Sequence, residues 1–79
     1  MRKGKGRLVV ITGGAAGIGR ALAQTYVDGG DRVVLSDLNG AALAETQAEL
    51  GPGVVHVQEI DISNRESVFE FATQVVAKF

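Results

Sequence analysis

The sequence predicts an α/β fold in which a parallel sheet carries helices on its faces. Three short apolar runs rich in β-branched residues are each followed by a stretch of helical periodicity. Gly-rich or Asx-containing turns stand at the joints. The first run has no polar alternation, as expected of a strand covered on both sides. Strand–helix alternation repeated three times requires parallel strands joined by right-handed crossovers. The 79 residues make one small domain at most, and 46% apolar with 22% charged residues is ordinary globular composition.

The elements follow in order. The first strand is expected over 8–12, Leu-Val-Val-Ile-Thr, ending in glycine. After residues 13–19 a helix begins, marked by Ile18, Ala21, Leu22 and Tyr26, and Gly29 and Gly30 close it. A second strand over 32–36 finishes at Asp37. Asn39 is expected to cap the next helix, whose stripe is Ala42, Leu43, Ala44, Gln47 and Leu50, with Gly51-Pro52 as its stop. The third strand starts at 54–57 and is expected to run to Ile60. Ser63-Asn64-Arg65-Glu66 reads as a capping box, in which the serine hydroxyl and glutamate carboxylate each satisfy an orphan amide. Val68, Phe71, Ala72, Val75, Val76 and Phe79 mark the buried side of the last helix. The end of the chain at Phe79, without a glycine cap or polar tail, suggests the front half of a larger domain.

Charge and composition exclude several functions. The net charge is −1, but Arg2, Lys3, Lys5 and Arg7 supply four of the eight basic residues. Residues 8–79 therefore hold four basic against nine acidic groups, a balance of −5 that repels phosphate backbones and argues against general nucleic-acid binding. Residues 1–6 read as a solvated basic tail and 7–79 as the folded unit. No apolar run approaches the roughly 18 residues of a membrane span, and residues 8–11 are too short for a secretory signal. Without cysteine there is no disulfide, thiolate nucleophile or cysteine-ligated metal, which is compatible with the cytoplasm. His56 stands alone in its strand, with no second ligand nearby, so no metal site is expected.

The chemistry is concentrated in Thr12-Gly13-Gly14-Ala15-Ala16-Gly17-Ile18-Gly19, between the first strand and first helix. Glycine there permits a sharp turn, close approach of the backbone to a diphosphate, and tight helix–strand packing. Amides at the helix start, with the helix dipole behind them, favour an anion. Gly14 and Gly19 also have Walker A spacing, but Arg20-Ala21 replace the lysine and hydroxyl residue, which removes the magnesium ligand. A tight turn without a ligand is the bland alternative. Asp37 ends the second strand 18 positions beyond Gly19, where a carboxylate accepts hydrogen bonds from an adenosine ribose. A 2′-phosphate beside it, at ~4 Å and an effective dielectric near 20, would be repelled by about 4 kcal/mol before screening. Ala15, Ala16, Ser36 and Leu38 offer no compensating cation, so NAD is preferred over NADP. Asp37 could equally be a helix cap.

On these residues the sequence resembles the short-chain dehydrogenase/reductase family. Thr12-Gly13-x-x-x-Gly17-Ile18-Gly19 is similar to that family's Thr-Gly-x-x-x-Gly-x-Gly loop, Asp37 to its NAD-selecting acid, and Asp61-Ile62 to its adenine-contacting pair. The resemblance covers residues 7–79 and implies the amino-terminal βαβαβα portion of a Rossmann-type three-layer fold, cut before the fourth strand. The cofactor-binding residues it implies are Gly13, Ala15, Ala16, Gly17, Ile18, Gly19, Asp37, Leu38, Asp61 and Ile62. The implied reaction is hydride transfer between a nicotinamide and an alcohol or carbonyl substrate. The family's catalytic serine, its Tyr-x-x-x-Lys pair and its Asn-Ala-Gly segment have no counterpart here, so no catalytic residue is assigned. The single tyrosine, Tyr26, is followed four residues on by Gly30 and reads as a packing residue. The alternative is a non-catalytic nucleotide-binding or assembly module, and a free edge on the first strand favours homo-oligomers under either reading. Arg20 is expected to be solvated or near a phosphate. Asp28 and Asp31 read as turn residues, and Glu45, Glu49, Glu66 and Glu70 as surface charges.

Overall fold

The computed structural model describes residues 6–79, so most of the basic tail expected over 1–6 lies outside the described residues. Three strands, β1 (Leu8–Thr12), β2 (Arg32–Asp37) and β3 (Val54–Glu59), alternate with three helices, α1 (Gly17–Asp28), α2 (Gly40–Leu50) and α3 (Arg65–Lys78). The strands form one parallel sheet in the order β1-β2-β3, with Val10 opposite Val34 and Leu35 opposite Val57. This is the predicted βαβαβα architecture.

β2 lies in the middle, and Val33, Val34, Leu35 and Ser36 are all fully buried. Its period-2 side chains serve two cores. Val33 and Leu35 join Ala23 of α1, Leu43 and Leu50 of α2, and Val54 on one face. Val34 joins Ile60 with Phe71 and Val75 of α3 on the other. Burying each such valine, leucine or phenylalanine stabilises the fold by about 1.5–3 kcal/mol. The sheet is thus sandwiched between α1 and α2 on one side and α3 on the other.

Several helix faces differ from expectation. In α1 the buried residue is Ala23, whereas Ile18 is 82% exposed and Leu22 45%. Small residues bring this helix close to the sheet, which turns its larger ones outward. In α2 the stripe is Leu43, Thr46 and Leu50, with Ala44 exposed. In α3 Phe71 and Val75 are buried, but Ala72 and Val76 face outward. The capping box is displaced by one residue: Asn64, not Ser63, accepts from the amides of Glu66 and Ser67, at 3.0 and 3.2 Å. The Ser63 hydroxyl is instead committed to Asp61 Oδ1, at 2.6 Å. β3 stops at Glu59, one residue short of Ile60. β1 forms one edge of this sheet, and its Val10 is 45% exposed on the α3 face.

Asp31, read as a turn residue, has a structural role. It is 4% exposed and accepts from the backbone amide of Arg7 at 3.2 Å, from Nε at 3.4 Å and from Nη2 at 3.3 Å. These bonds fasten the start of β1 to the start of β2. The hydrogen bond and charge of Asp31 raise the Arg7 guanidinium above its ordinary pKa. A carboxylate this buried needs such a partner, because an unpaired charge is strongly destabilising.

Candidate functional site

Ligands of open parallel sheets bind beyond the carboxyl ends of the strands. At that end the start of the β1–α1 loop is held through its backbone. Gly13 and Gly14 donate their amides to the Ser36 carbonyl, at 2.7 and 3.1 Å. Gly13 and Gly17 have φ of +72° and +59°, the left-handed region that side chains avoid. Space is equally limiting: a Cβ on Gly19 would overlap the carbonyl oxygen of Gly13, and one on Gly14 would lie 2.6 Å from Leu35 Cδ2.

The helix that follows starts without a cap. Ala16, extended at φ −157°, offers no side-chain acceptor, and the first turn of α1 holds no acidic residue. The first amides of any helix lack intrahelical partners, and here nothing in the side chain of Ala16 supplies one. At α2, by contrast, Asn39 Oδ1 accepts from Ala42 N at 3.0 Å, and at α3 Asn64 does the same work. An anion placed at the α1 start would meet backbone donors and the positive end of the helix dipole.

Asp37 faces this loop. Its Oδ2 accepts from the Ala15 amide at 3.1 Å and its Oδ1 from Asn39 N at 3.1 Å, and the residue is half-buried. The backbone carbonyl of Asp37 accepts from Ile60 N at 2.9 Å, which ties the end of β2 to the end of β3 just before Asp61. Asp61 is exposed and accepts from both the amide and the hydroxyl of Ser63, and these bonds hold its carboxyl below the usual range. Leu38 and Ile62, 67% and 66% exposed, follow the two acids on their loops. The sheet therefore brings Gly13, Ala15, Ala16, Gly17, Ile18 and Gly19 to the same end as the Asp37–Leu38 and Asp61–Ile62 pairs. Within that set the direct contact is between Ala15 and Asp37.

Two residues differ from the sequence reading. Arg20 is ion-paired with Glu49 of α2, so its guanidinium is engaged in packing α1 on α2. Thr46, which the sequence reading passed over, is 1% exposed and donates its hydroxyl to the Ala15 carbonyl at 3.2 Å. The signal was present: Thr46 lies three residues after Leu43 and four before Leu50, a hydroxyl on an apolar stripe. His56 is half-buried on β3, its Nε2 3.2 Å from Gln58 Oε1 and its ring tilted against Phe79. Tyr26 packs against the α1–α2 core as expected.

The residues present fit a dinucleotide. Glycines let a backbone approach that a Cβ would block, the helix start has no internal cap, and a carboxylate stands at the rim.

The comparisons agree in kind. The short chain dehydrogenase family matches residues 7–79. Momilactone A synthase of Oryza sativa subsp. japonica is 40% identical over 78 residues, which are 99% of this chain and 28% of that protein. The 2-dehydro-3-deoxy-L-rhamnonate dehydrogenase (NAD(+)) of a Sphingomonas species is 44% identical over 63 residues, 80% of this chain and 24% of that one. Among solved structures, an alcohol dehydrogenase from the archaeon Thermococcus sibiricus, complexed with 5-hydroxy-NADP, superposes with a TM-score of 0.83 at 33% identity, covering 92% of this chain and 32% of that chain. The chain thus spans about a quarter to a third of the length of these relatives. With the family's match over residues 7–79, the chain belongs to the short-chain dehydrogenase family.

Proposed function

We propose that this chain is the cofactor-binding portion of an oxidoreductase that moves hydride between a nicotinamide dinucleotide and a small alcohol or carbonyl substrate. The observation that carries the reading is the uncapped start of α1 beside a loop in which Gly14 and Gly19 have no room for a Cβ and Gly13 and Gly17 hold left-handed φ. In this reading the amides of 16–19 hold the diphosphate, Asp37 accepts from the ribose hydroxyls, and the Asp61–Ile62 loop borders the adenine, with Leu38 opposite. The nicotinamide, when bound, supplies the hydride acceptor or donor. The proton-transfer groups belong to the parts of the relatives that lie beyond these 79 residues.

NAD is the proposed cofactor rather than NADP. Asp37 already stands at the loop, and a 2′-phosphate would place like charge against it, a repulsion on the order of 4 kcal/mol at ~4 Å before screening. Ala15, Ala16 and Leu38 provide no cation nearby. The relatives are divided, one being named for NAD(+) and another solved with an NADP derivative, so the charge at Asp37 decides the proposal. Calorimetric titration of NAD and NADP into the wild type and Asp37→Asn tests it. The preference for NAD is expected to shrink at least tenfold in the variant, whereas an unchanged ratio removes the basis for the choice.

An assembly role has its own support in β1. This strand forms one edge of the described sheet, and an edge strand offers backbone groups for pairing with a second copy. We therefore propose homo-oligomers, and a monomer mass at every concentration in sedimentation would contradict this. Among the described residues no helix is long and apolar enough to cross a membrane; a cytoplasmic location is proposed together with the oxidoreductase reading.

A further inference from the structure

We infer that Thr46, a buried residue of α2, is a positioning residue for the diphosphate-binding loop, acting through the single hydrogen bond between its hydroxyl and the Ala15 carbonyl. The inference rests on the reading of that loop as the cofactor site and adds a residue that touches no ligand.

The argument starts from the peptide plane. Thr46 Oγ1 donates to Ala15 O across 31 residues of chain, from a side chain that is 1% exposed. A buried hydroxyl without a partner costs about 1–3 kcal/mol, so the bond is strongly selected among rotamers. The Ala15–Ala16 peptide is planar and trans, so its N–H points opposite to its C=O. Fixing the carbonyl onto α2 therefore aims the Ala16 amide away from α2. Ala16 is the residue that opens α1, and its amide leads the row of first-turn donors.

The preceding peptide is fixed independently, because the Ala15 amide donates to Asp37 Oδ2 at 3.1 Å. Ala15 is thus gripped on both sides, by a rim carboxylate and by a buried hydroxyl. The first grip is open to solvent and ligand; the second is sealed in the core. A loop carrying several glycines has many accessible backbone states, and the sealed grip selects one of them before any anion arrives. Preorganised donors of this kind raise affinity by reducing the cost of ordering on binding. The neighbouring anchors, Gly13 and Gly14 on the Ser36 carbonyl, hold the start of the turn. Thr46 holds its middle.

The test compares the whole 79-residue chain with Thr46→Val and Thr46→Ser, using ADP and adenosine as probes and the backbone amide spectrum as readout. Valine keeps the shape and removes the hydroxyl, while serine keeps the hydroxyl. Thr46→Val is expected to weaken ADP about tenfold, the value of one lost hydrogen bond, to leave adenosine within about twofold, and to shift the Ala16 amide in the free protein. Thr46→Ser is expected to restore ADP binding and the Ala16 resonance. Equal losses of ADP and adenosine, no rescue by serine, or an unmoved Ala16 amide would each overturn the inference. If valine prevents folding, Thr46→Ser against Thr46→Ala gives the same contrast. Failure of the wild type to bind ADP would instead overturn the dinucleotide reading, while the Ala16 shift in the free protein would still report whether Thr46 orients that peptide.

Discussion

The three strand-to-helix turns of this molecule solve one geometric problem in two ways. At β2–α2 and β3–α3 an asparagine stands before the helix and its side chain satisfies the first amides, Asn39 for α2 and Asn64 for α3. At β1–α1 the equivalent residue is Ala16, which caps nothing, and the turn is built from glycines, Gly19 packed against the Gly13 backbone and Gly14 against Leu35. A capped turn is complete without a ligand. The β1–α1 turn leaves its first amides without a side-chain cap, open to solvent or to an anion. The difference teaches that function is written in the turn that breaks the local rule.

The comparison is sharpened most by exchanging glycines. Gly19→Ala forces a Cβ into the Gly13 carbonyl, and backbone cannot yield as a side chain can. A loss of about 3 kcal/mol or more in urea unfolding is expected, at the upper end of overpacking costs, together with loss of ADP binding. Gly40→Ala, at the start of capped α2, meets only the flexible exposed carboxylate of Glu59 at 2.9 Å. It should change stability by less than about 1 kcal/mol, since alanine is the better helix former. Equal effects at the two positions would erase the distinction.

Caps provide the next step down. Asn64→Ala is expected to cost about 1 kcal/mol of stability and to leave ADP binding unchanged. Ala16→Asp does the reverse. A carboxylate at the uncapped start of α1 should stabilise the chain by about 0.5–1 kcal/mol while repelling the diphosphate. If Ala16→Asp binds ADP as well as the wild type, the helix start is not the anion site.

The smallest effect is acid dependence at the β3–α3 turn. Hydrogen bonds from Ser63 depress the Asp61 pKa in the folded state. The stabilisation is therefore present above the unfolded value, about 3.9, and is lost as pH falls through the lower folded value. Urea midpoints of the wild type and Asp61→Asn should differ at pH 7, and the gap should narrow as pH falls below the unfolded value. A gap that persists in acid would mean that Asp61 acts otherwise.

The order of elements was legible because β-branched runs and glycine stops are local signals. Leu8-Val9-Val10-Ile11 and Arg32-Val33-Val34-Leu35 needed no tertiary knowledge to be read as strands. What the chain concealed was everything set by a distant partner. Ile18 and Leu22 look like a buried stripe until the close approach of Gly19 to the Gly13 backbone and the burial of Ala23 turn them outward. Ser63 looks like a cap until Asp61, two residues back, takes its hydroxyl. Asp31 and Arg7 are 24 positions apart, and only the adjacency of β1 and β2 makes them a pair. At the candidate site the glycine spacing and Asp37 were legible, whereas Thr46 was not, because its partner is a backbone carbonyl 31 residues away.

The most direct measurement is a backbone-amide chemical-shift map of the isotope-labelled chain during titration with ADP. The account predicts that the largest perturbations fall on residues 15–19, with smaller ones at 37–38 and 61–62, all saturating with one affinity. Perturbations concentrated elsewhere, or a loop that stays silent at saturating ADP, would contradict it.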